Sequence, residues 1–209
     1  MTALLLGVTA CGSDGRSSAT AAETPAAKHS ALTGTADKTA KNTLADLVVL
    51  PRGYVADPGS LTGAFTATSY LNTWSADPAV DRALLLNAAF VEGYRATRLS
   101  PDKKKRYTVQ LFKTGSATKA QALQDGLWKQ DTHDHPFALP NALSDANVQY
   151  DGAADQSVAV AEASLAIGEI VVEFTVREAA ALGTALTPDT GLITTLVKDQ
   201  RTRLTAPSN

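Results

Sequence analysis

The chain has 209 residues, of which 44% are hydrophobic and 19% are charged, and its formal net charge is −2. This length fits one globular domain with a polar extension. The balanced charge argues against a nucleic-acid partner, because neutralising phosphates requires an excess of basic residues. No apolar run approaches the roughly 20 residues that a membrane-spanning helix needs.

The N-terminal stretch Val8-Thr9-Ala10-Cys11 contains an aliphatic residue, two small residues and the only cysteine of the chain. It resembles the lipobox of bacterial lipoproteins. The resemblance implies that a diacylglyceryl group is attached to Cys11 and that signal peptidase cuts before it, so residues 1–11 are the remnant of a signal peptide. The alternative is a buried structural cysteine, but the Gly-Ser-Asp-Gly that follows offers no core to join.

A complete secretory signal has a basic segment before its apolar stretch, and no Lys or Arg precedes Arg16. We therefore expect the true start codon to lie upstream. Residues 12–42 are rich in Ala, Thr, Ser, Lys and Gly and have no aromatic residue, which predicts a flexible tether. An Ala-rich helix is the alternative, and Pro25 and Gly34 argue against it.

The first half of the predicted domain, residues 43–206, contains a helix, a hairpin and a second helix. Asp77 and Pro78 predict the start of the first helix, and Gly93 its end. Its apolar face is predicted from the spacing of Val80, Leu84, Ala88 and Val91. The stretches "YRATRLS" and "RYTVQLFK" predict a β-hairpin in which Tyr107, Val109 and Leu111 share one face. Ser116 is expected to cap a helix with a stripe formed by Ala120, Leu123 and Leu127.

The second half has the same order of elements. A turn at Gly168-Glu169 predicts a hairpin between "SVAVAEASLAIG" and "IVVEFTVRE". Alternation predicts two faces for the second strand: Ile170, Val172, Phe174 and Val176 inward, and Glu173, Thr175 and Arg177 outward. Thr187 and Pro188 are expected to cap a last helix, and its buried side is predicted to hold Ile193, Val197, Gln200 and Leu204.

This repeated order predicts an α+β fold, in which an antiparallel sheet carries packed helices as a candidate ββα-ββα pseudo-repeat within a single domain. The stretches "GYRATRLS", "AIGEIVVEFTVRE" and "LVKDQRTRL" resemble secreted lipoproteins of high-GC Gram-positive bacteria. The domains of these lipoproteins are similar to the envelope sensor domains attached to some bacterial kinases. Many such sensor domains carry disulfides, which this chain cannot form internally.

The segment "DTHDHPF" is the sharpest polar cluster of the sequence. Asp131, His133 and His135 are weak candidates for zinc or copper ligands, because alternating histidines on an extended segment point to one side. The favoured interpretation is a solvated loop after a helix, since a tight metal site needs further ligands. We therefore expect no metal site and no cofactor.

The sequence signals for a hydrolytic active site are weaker than those for a metal site. There is no G-x-S-x-G motif and no phosphate-binding glycine loop. Glu162 and Glu173 form a possible carboxylate pair on adjacent strands, but strand carboxylates are usually solvated, and we expect these two on an outer face. The sequence predicts a protein that is not an enzyme.

Two further features bear on partners. The basic run at residues 103–106, "KKKR", could touch anionic lipid headgroups, but a charged hairpin tip that keeps a sheet edge soluble is the favoured interpretation. Five aromatic residues could line a ligand cleft or equally belong to the core: Tyr54, Tyr70, Trp74, Tyr94 and Trp128.

The leading functional hypothesis is a lipid-anchored protein of the cell envelope, on the extracytoplasmic face of the membrane, with a non-catalytic domain that binds a small ligand or an envelope protein. The alternatives are a sensor or accessory module that acts by protein contact, and an enzyme of unknown class. A large cavity with converging polar groups would favour ligand binding, and a flat apolar patch would favour protein contact. A buried acid–base pair with shifted pKa values would favour an enzyme.

Overall fold

Residues 43–206 are built around one antiparallel sheet in the computed structural model, which describes this part of the chain. The predicted signal remnant, Cys11 and the predicted tether at 12–42 lie outside the described residues. The helices of the described part are α1 (Leu44–Leu47), α2 (Ala67–Thr73), α3 (Pro78–Asn87), α4 (Ala117–Trp128) and α5 (Thr190–Thr205). Its strands are β1 (Val55–Ala56), β2 (Gly63–Phe65), β3 (Glu92–Leu99), β4 (Lys105–Lys113), β5 (Leu143–Asp151), β6 (Gln156–Ile167) and β7 (Ile170–Ala181).

The strand order is β1-β3-β4-β7-β6-β5, and β2 pairs with β3 beside β1. All paired strands are antiparallel. Five helices pack around this sheet within the described residues, so the predicted α+β class is confirmed. No helix in residues 43–206 has both the length and the apolar composition needed to cross a membrane.

The first face of the sheet carries the larger apolar core. Val109 lies opposite Phe174 and Leu111 lies opposite Val172, as alternation along the two strands predicted. Ile193, Leu196 and Val197 of α5 pack on this face, and α1 joins the same core. Ile170, the outermost of the predicted inward residues, packs against the core while partly exposed.

The second face is apolar at one end and polar beyond it. Phe112 of β4 lies opposite Val171 of β7, and α2, α3 and α4 cover this end with side chains such as Leu71, Leu85 and Leu123. The next row across the sheet contains polar residues, because Gln110 lies opposite Glu173. The polar part of the second face therefore lies beside the helices that cover the apolar end.

The strand–strand–helix order occurs twice, as β3–β4–α4 and β6–β7–α5, as predicted. The two helices nevertheless pack on opposite faces of the sheet, α4 on the second and α5 on the first. The two halves therefore share an order of elements but not an arrangement in space.

The predicted end of the first helix and most of its predicted apolar face are wrong. Asp77 caps α3 as expected, accepting hydrogen bonds from the backbone of Ala79 and Val80, but α3 ends at Asn87 and Gly93 lies inside β3. Val80 and Val91 of the predicted apolar face are exposed. The buried positions of this segment include Asp81, Leu85 and Ala88, because α3 packs against α2 and α4 with a buried side that shares only Ala88 with the predicted one.

The cap of α5 also differs from the prediction. Asp189, rather than Thr187 or Pro188, occupies the N-cap and accepts a hydrogen bond from the backbone N–H of Leu192 at 3.0 Å. An aspartate carboxylate satisfies the unpaired amides of a helix start, which proline and a more distant threonine cannot do here. The buried side of α5 was predicted correctly, with Leu204 partly buried.

The basic run at 103–106 does not protect a sheet edge, because β4 lies between β3 and β7. The Nζ of Lys105 lies 2.6 Å from Oδ2 of Asp189, and the Nε of Arg106 lies 3.0 Å from Oδ2 of Asp57. Half of the run therefore joins the hairpin to its surroundings through ion pairs.

Candidate functional site

A cleft of about 520 Å³ opens where the polar part of the second face meets α3 and the end of α4. This volume lies within the range of small-molecule sites. Its floor consists of strand side chains, and its walls come from helices and from the loop after α4. We call this space the acidic cleft, after the residues described next.

The floor follows from the strand register. Glu173 of β7 lies between Gln110 of β4 and Ser164 of β6, and in the next row Thr175 of β7 lies opposite Glu162 of β6. Both glutamates thus occupy the same face of adjacent strands, one row apart, because side chains two residues apart in a strand share a face. The predicted pair is confirmed in its placement on neighbouring strands.

The expectation that this pair is solvated is wrong. Glu162 and Glu173 are both partly buried, because helices and the loop after α4 stand beside this face. Burial raises the pKa of Glu173 to about 7, and the negative charges of Glu162, Asp81 and Asp131 act in the same direction. Burial is also the main cause that raises the pKa of Glu162, against the opposing effect of His133.

Both tryptophans of the chain line the cleft. Trp74 follows α2 and packs against Phe65 with ring centroids 5.5 Å apart. Trp128 ends α4 and stacks on the imidazole of His133, with centroids 3.7 Å apart and planes inclined by 13°. Both indoles are therefore held in place by neighbouring rings.

The other predicted aromatic residues divide between the cleft and the core. Tyr70 lines the cleft and packs edge-on against Phe112, with centroids 5.3 Å apart. Tyr94 packs against the core of the first face. Tyr54 contacts that core and lines a separate groove beside α5.

The histidine segment is split by the structure. His133 turns inward, and its Nε2 lies 3.2 Å from Oε1 of Glu162. Asp131 also lines the cleft. His135 is exposed, and its backbone N–H donates to Oδ1 of Asp145 at 2.6 Å. Within residues 43–206, no three His, Cys, Asp or Glu side chains are grouped so that they could hold a metal ion.

Two residues of the site had no sequence signal that marked them as functional. Asp81 of α3 is buried, and its Oδ1 accepts a hydrogen bond of 2.7 Å from Nε2 of Gln130. Gln110 of β4 contributes its amide to the floor, with Nε2 3.4 Å from Oε2 of Glu173. A polar residue in the middle of an apolar strand, as in "YTVQLFK", is the one pattern that could have indicated Gln110.

The comparisons with known proteins give little beyond this geometry. No protein-family model matches the chain, and no curated protein matches it. Among solved structures, the chain is similar to the crystal structure of the extracellular domain of PknH from Mycobacterium tuberculosis. The two share 14% identity and a TM-score of 0.41 over 71% of this chain and 81% of that chain. A TM-score at this level does not establish a shared fold.

Proposed function

We propose that this protein is a non-catalytic binding module that takes a small ligand in the acidic cleft. The observation that carries the proposal is the convergence of Trp74, Trp128 and the floor carboxylates on one cavity of about 520 Å³. Small-molecule sites combine such a concave shape and aromatic walls with a few convergent polar groups. Rings already fixed by their neighbours lose little freedom when a ligand binds.

The module is anchored in the outer leaflet of the cell membrane through a lipid on Cys11. This part of the proposal rests on the lipobox-like stretch that ends at Cys11 and on the tether-like composition of residues 12–42. Together they present the cleft to the extracytoplasmic space, where it can sample ligands near the membrane.

Contact with an envelope protein is supported less well than ligand binding. The large apolar side chains with the highest exposed fractions in the described region come from separate elements: Leu86 of α3, Leu61 of a loop and Tyr150 of β5. Docking surfaces usually present apolar side chains as one contiguous patch. A sensor role remains compatible with the cleft, because ligand binding is itself the input of a sensor.

An enzyme is the second candidate, on a specific observation. Glu173 holds a proton near neutral pH, and Glu162 lies one row away on the next strand. A carboxyl group that holds a proton near neutral pH, with a second carboxyl group nearby, is what acid–base hydrolysis of a glycoside uses. If the cleft is catalytic, Glu173→Gln should abolish turnover of a bound compound while its binding persists.

The tryptophans provide the test. Because both line the cleft, intrinsic fluorescence of the whole chain reports on this site. We would titrate panels of amines, amino acids, neutral sugars and carboxylates, and we expect saturable changes in emission with at least one class. The variant Thr175→Leu, which fills the floor, should weaken the response, whereas Thr194→Leu on the exposed side of α5 should not. Emission unchanged by every class up to millimolar concentration would refute the proposal.

A further inference from the structure

The acidic cleft is negatively charged although the whole chain is nearly neutral, with a net charge of −2. Five carboxylate residues line it, namely Asp77, Asp81, Asp131, Glu162 and Glu173. Among the described lining residues, His133 is the one with a basic side chain. Arg95 lies beside the cleft, with its guanidinium 5.3 Å from the ring centroid of Trp74. The carboxylates therefore outnumber the nearby bases.

Three of these carboxylates have protein partners. Asp77 caps α3, Asp81 accepts from Gln130, and Glu162 pairs with His133. Asp131 and Glu173 have no ion-pair partner among residues 43–206. Glu173 has one amide donor, the Nε2 of Gln110, at 3.4 Å. Asp131 is exposed, whereas Glu173 is partly buried, and within the described part of the chain only the charge of Arg95 offsets the like charges around it.

A second, independent observation concerns the two cross-strand neighbours of Glu173. Ser164 is 1% exposed and lies directly opposite Glu173, and its Oγ has no hydrogen-bond partner within the described region. On the other side of Glu173, the Oε1 of Gln110 is buried and also lacks a partner there. Buried polar atoms are nearly always hydrogen-bonded, and leaving one unpaired is costly. The row Gln110–Glu173–Ser164 thus contains two buried polar atoms without a partner among the described residues, an amide oxygen that needs a donor and a hydroxyl that can donate or accept.

The aromatic walls fit the same kind of ligand. The face of an indole attracts a cation through the electrons of its ring. The guanidinium of Arg95, which lies opposite Gln110 on the neighbouring strand, already lies over Trp74. This indole therefore holds one positive group of the protein, and a ligand cation would meet another part of the aromatic walls. A ligand cation on the floor would have the carboxylates below it and an indole beside it.

We propose that the ligand is a small aliphatic ammonium or guanidinium compound whose cationic group lies against Glu173, between Gln110 and Ser164. This inference rests on the proposed function and specifies its ligand class. The N–H groups of such a cation donate to the carboxylate of Glu173 and to the amide oxygen of Gln110. A quaternary ammonium has no N–H group and would leave the amide oxygen of Gln110 without a donor.

The protonation of Glu173 supports the proposal. Its pKa of about 7 reflects burial among like charges, and a bound cation would lower that pKa. Binding near pH 7 should therefore release a proton from Glu173. The charged and titratable groups that face this carboxyl from the surrounding elements are Glu162, Asp81, Asp131, Arg95, Tyr70 and His133.

The test compares 1,4-diaminobutane with 1,4-butanediol, which has the same chain length and no charge. We expect saturable binding of the diamine, followed by tryptophan fluorescence and calorimetry, and at least about tenfold weaker binding of the diol. Calorimetry at pH 7 in buffers of different ionisation enthalpy should show proton release on diamine binding.

Variants locate the cation. Glu173→Gln should weaken diamine binding at least about tenfold and remove the proton release. Glu169→Gln, which removes the same charge at an exposed turn, should change neither. Asp131→Asn, at an exposed position of the wall, should also weaken diamine binding. Because this side chain is exposed, the variant tests the effect of a cleft carboxylate on binding even if Glu173→Gln lowers the stability of the fold.

The outcomes separate this inference from the proposed function. Equal binding of diamine and diol, or full binding by both Glu173→Gln and Asp131→Asn, would overturn the cation inference. Binding of sugars or carboxylates in place of amines would also overturn it, while the proposed function would stand. If no class of compound binds, both the cation inference and the proposed function are overturned.

Discussion

Glu173 of β7 lies directly opposite Ser164 of β6, on the face of the sheet that the helices cover only in part. The register of the two longest strands places Glu173, which lines the cleft, opposite a buried hydroxyl that has no partner among residues 43–206. Because the environment is partly buried and negatively charged, the pKa of Glu173 rises from an ordinary 4.5 to about 7. The first prediction follows from this shift.

Glu173 should make the protein less stable as the pH rises from about 4.5 to 7. In that window the folded chain binds a proton that the unfolded chain has already lost, so the free energy of unfolding falls with pH. Glu173→Gln removes this dependence. The free energy of unfolding of the variant, relative to that of wild type, should be about 1–3 kcal/mol higher at pH 8 than at pH 5. This figure allows for the partial exposure of the side chain, which weakens the effect. Urea unfolding at the two pH values measures the change, and Glu169→Gln should show none.

Phe174→Ala should lower the free energy of unfolding by about 3–5 kcal/mol, because the ring is buried opposite Val109 and its removal leaves a cavity. Thr175→Ala, at the next position but on the other face, should cost far less. Chemical denaturation of both variants measures the difference. Equal losses would mean that the assignment of the two faces of β7 is wrong.

Gly93→Ala should destabilise the second face. A Cβ at this position would lie 2.1 Å from atoms of the Phe65 ring, which is itself packed among Trp74, Tyr70 and Phe112. Because that ring cannot easily move, we expect a loss of about 1–3 kcal/mol. Gly191→Ala is the matched control, since its added Cβ has no close contact and lies in α5. An unchanged melting temperature for Gly93→Ala would contradict the contact.

Gln200→Leu should loosen the segment around α1. Gln200 is 0% exposed. It accepts a hydrogen bond from the N–H of Val49 at 2.9 Å and donates one to the carbonyl of Leu47 at 2.6 Å. Leucine would leave both backbone groups unpaired, at a cost of about 2–4 kcal/mol.

Hydrogen exchange provides a local measure of the same change. The Val49 amide should exchange faster in Gln200→Leu than in wild type, and Lys198→Gln on the exposed side of α5 should leave it unchanged. A Val49 amide that stays equally protected in Gln200→Leu would show that this bond does not hold the segment.

Cys11→Ser should separate anchoring from folding. A serine hydroxyl is far less nucleophilic than a cysteine thiol, so it should not accept the lipid. With a complete signal supplied upstream, the wild type should incorporate radioactive palmitate and sediment with membranes, because two acyl chains suffice for stable anchoring. The variant should do neither. Equal membrane association of the two forms would refute attachment through Cys11.

Local sequence patterns predicted most of the fold correctly where one physical signal dominated. Alternation placed Val172, Phe174 and Val176 on one face, because a strand in a sheet with an apolar core turns every second residue inward. Ser116 marked the start of α4, because its side chain accepts a hydrogen bond from the backbone of Lys119 at 3.3 Å. Where signals competed, prediction was less exact. The apolar residues after α3 belong to the approach to β3, so they extended the predicted helix too far.

The candidate site could be predicted only in fragments. Glu162, Glu173, His133, Trp74 and Trp128 were each noted in the sequence, but nothing in their spacing joined them. The face of a strand or helix on which a residue lies depends on the periodicity of its near neighbours in the chain, so the sequence by itself determined it. The tertiary structure alone decided that α4 covers one end of the second face and that α5 packs on the first. The packing of α4 partly closes the second face over Glu173. A carboxylate that would otherwise face solvent is thereby partly removed from water, which raises its pKa, and it becomes part of the floor of a cleft.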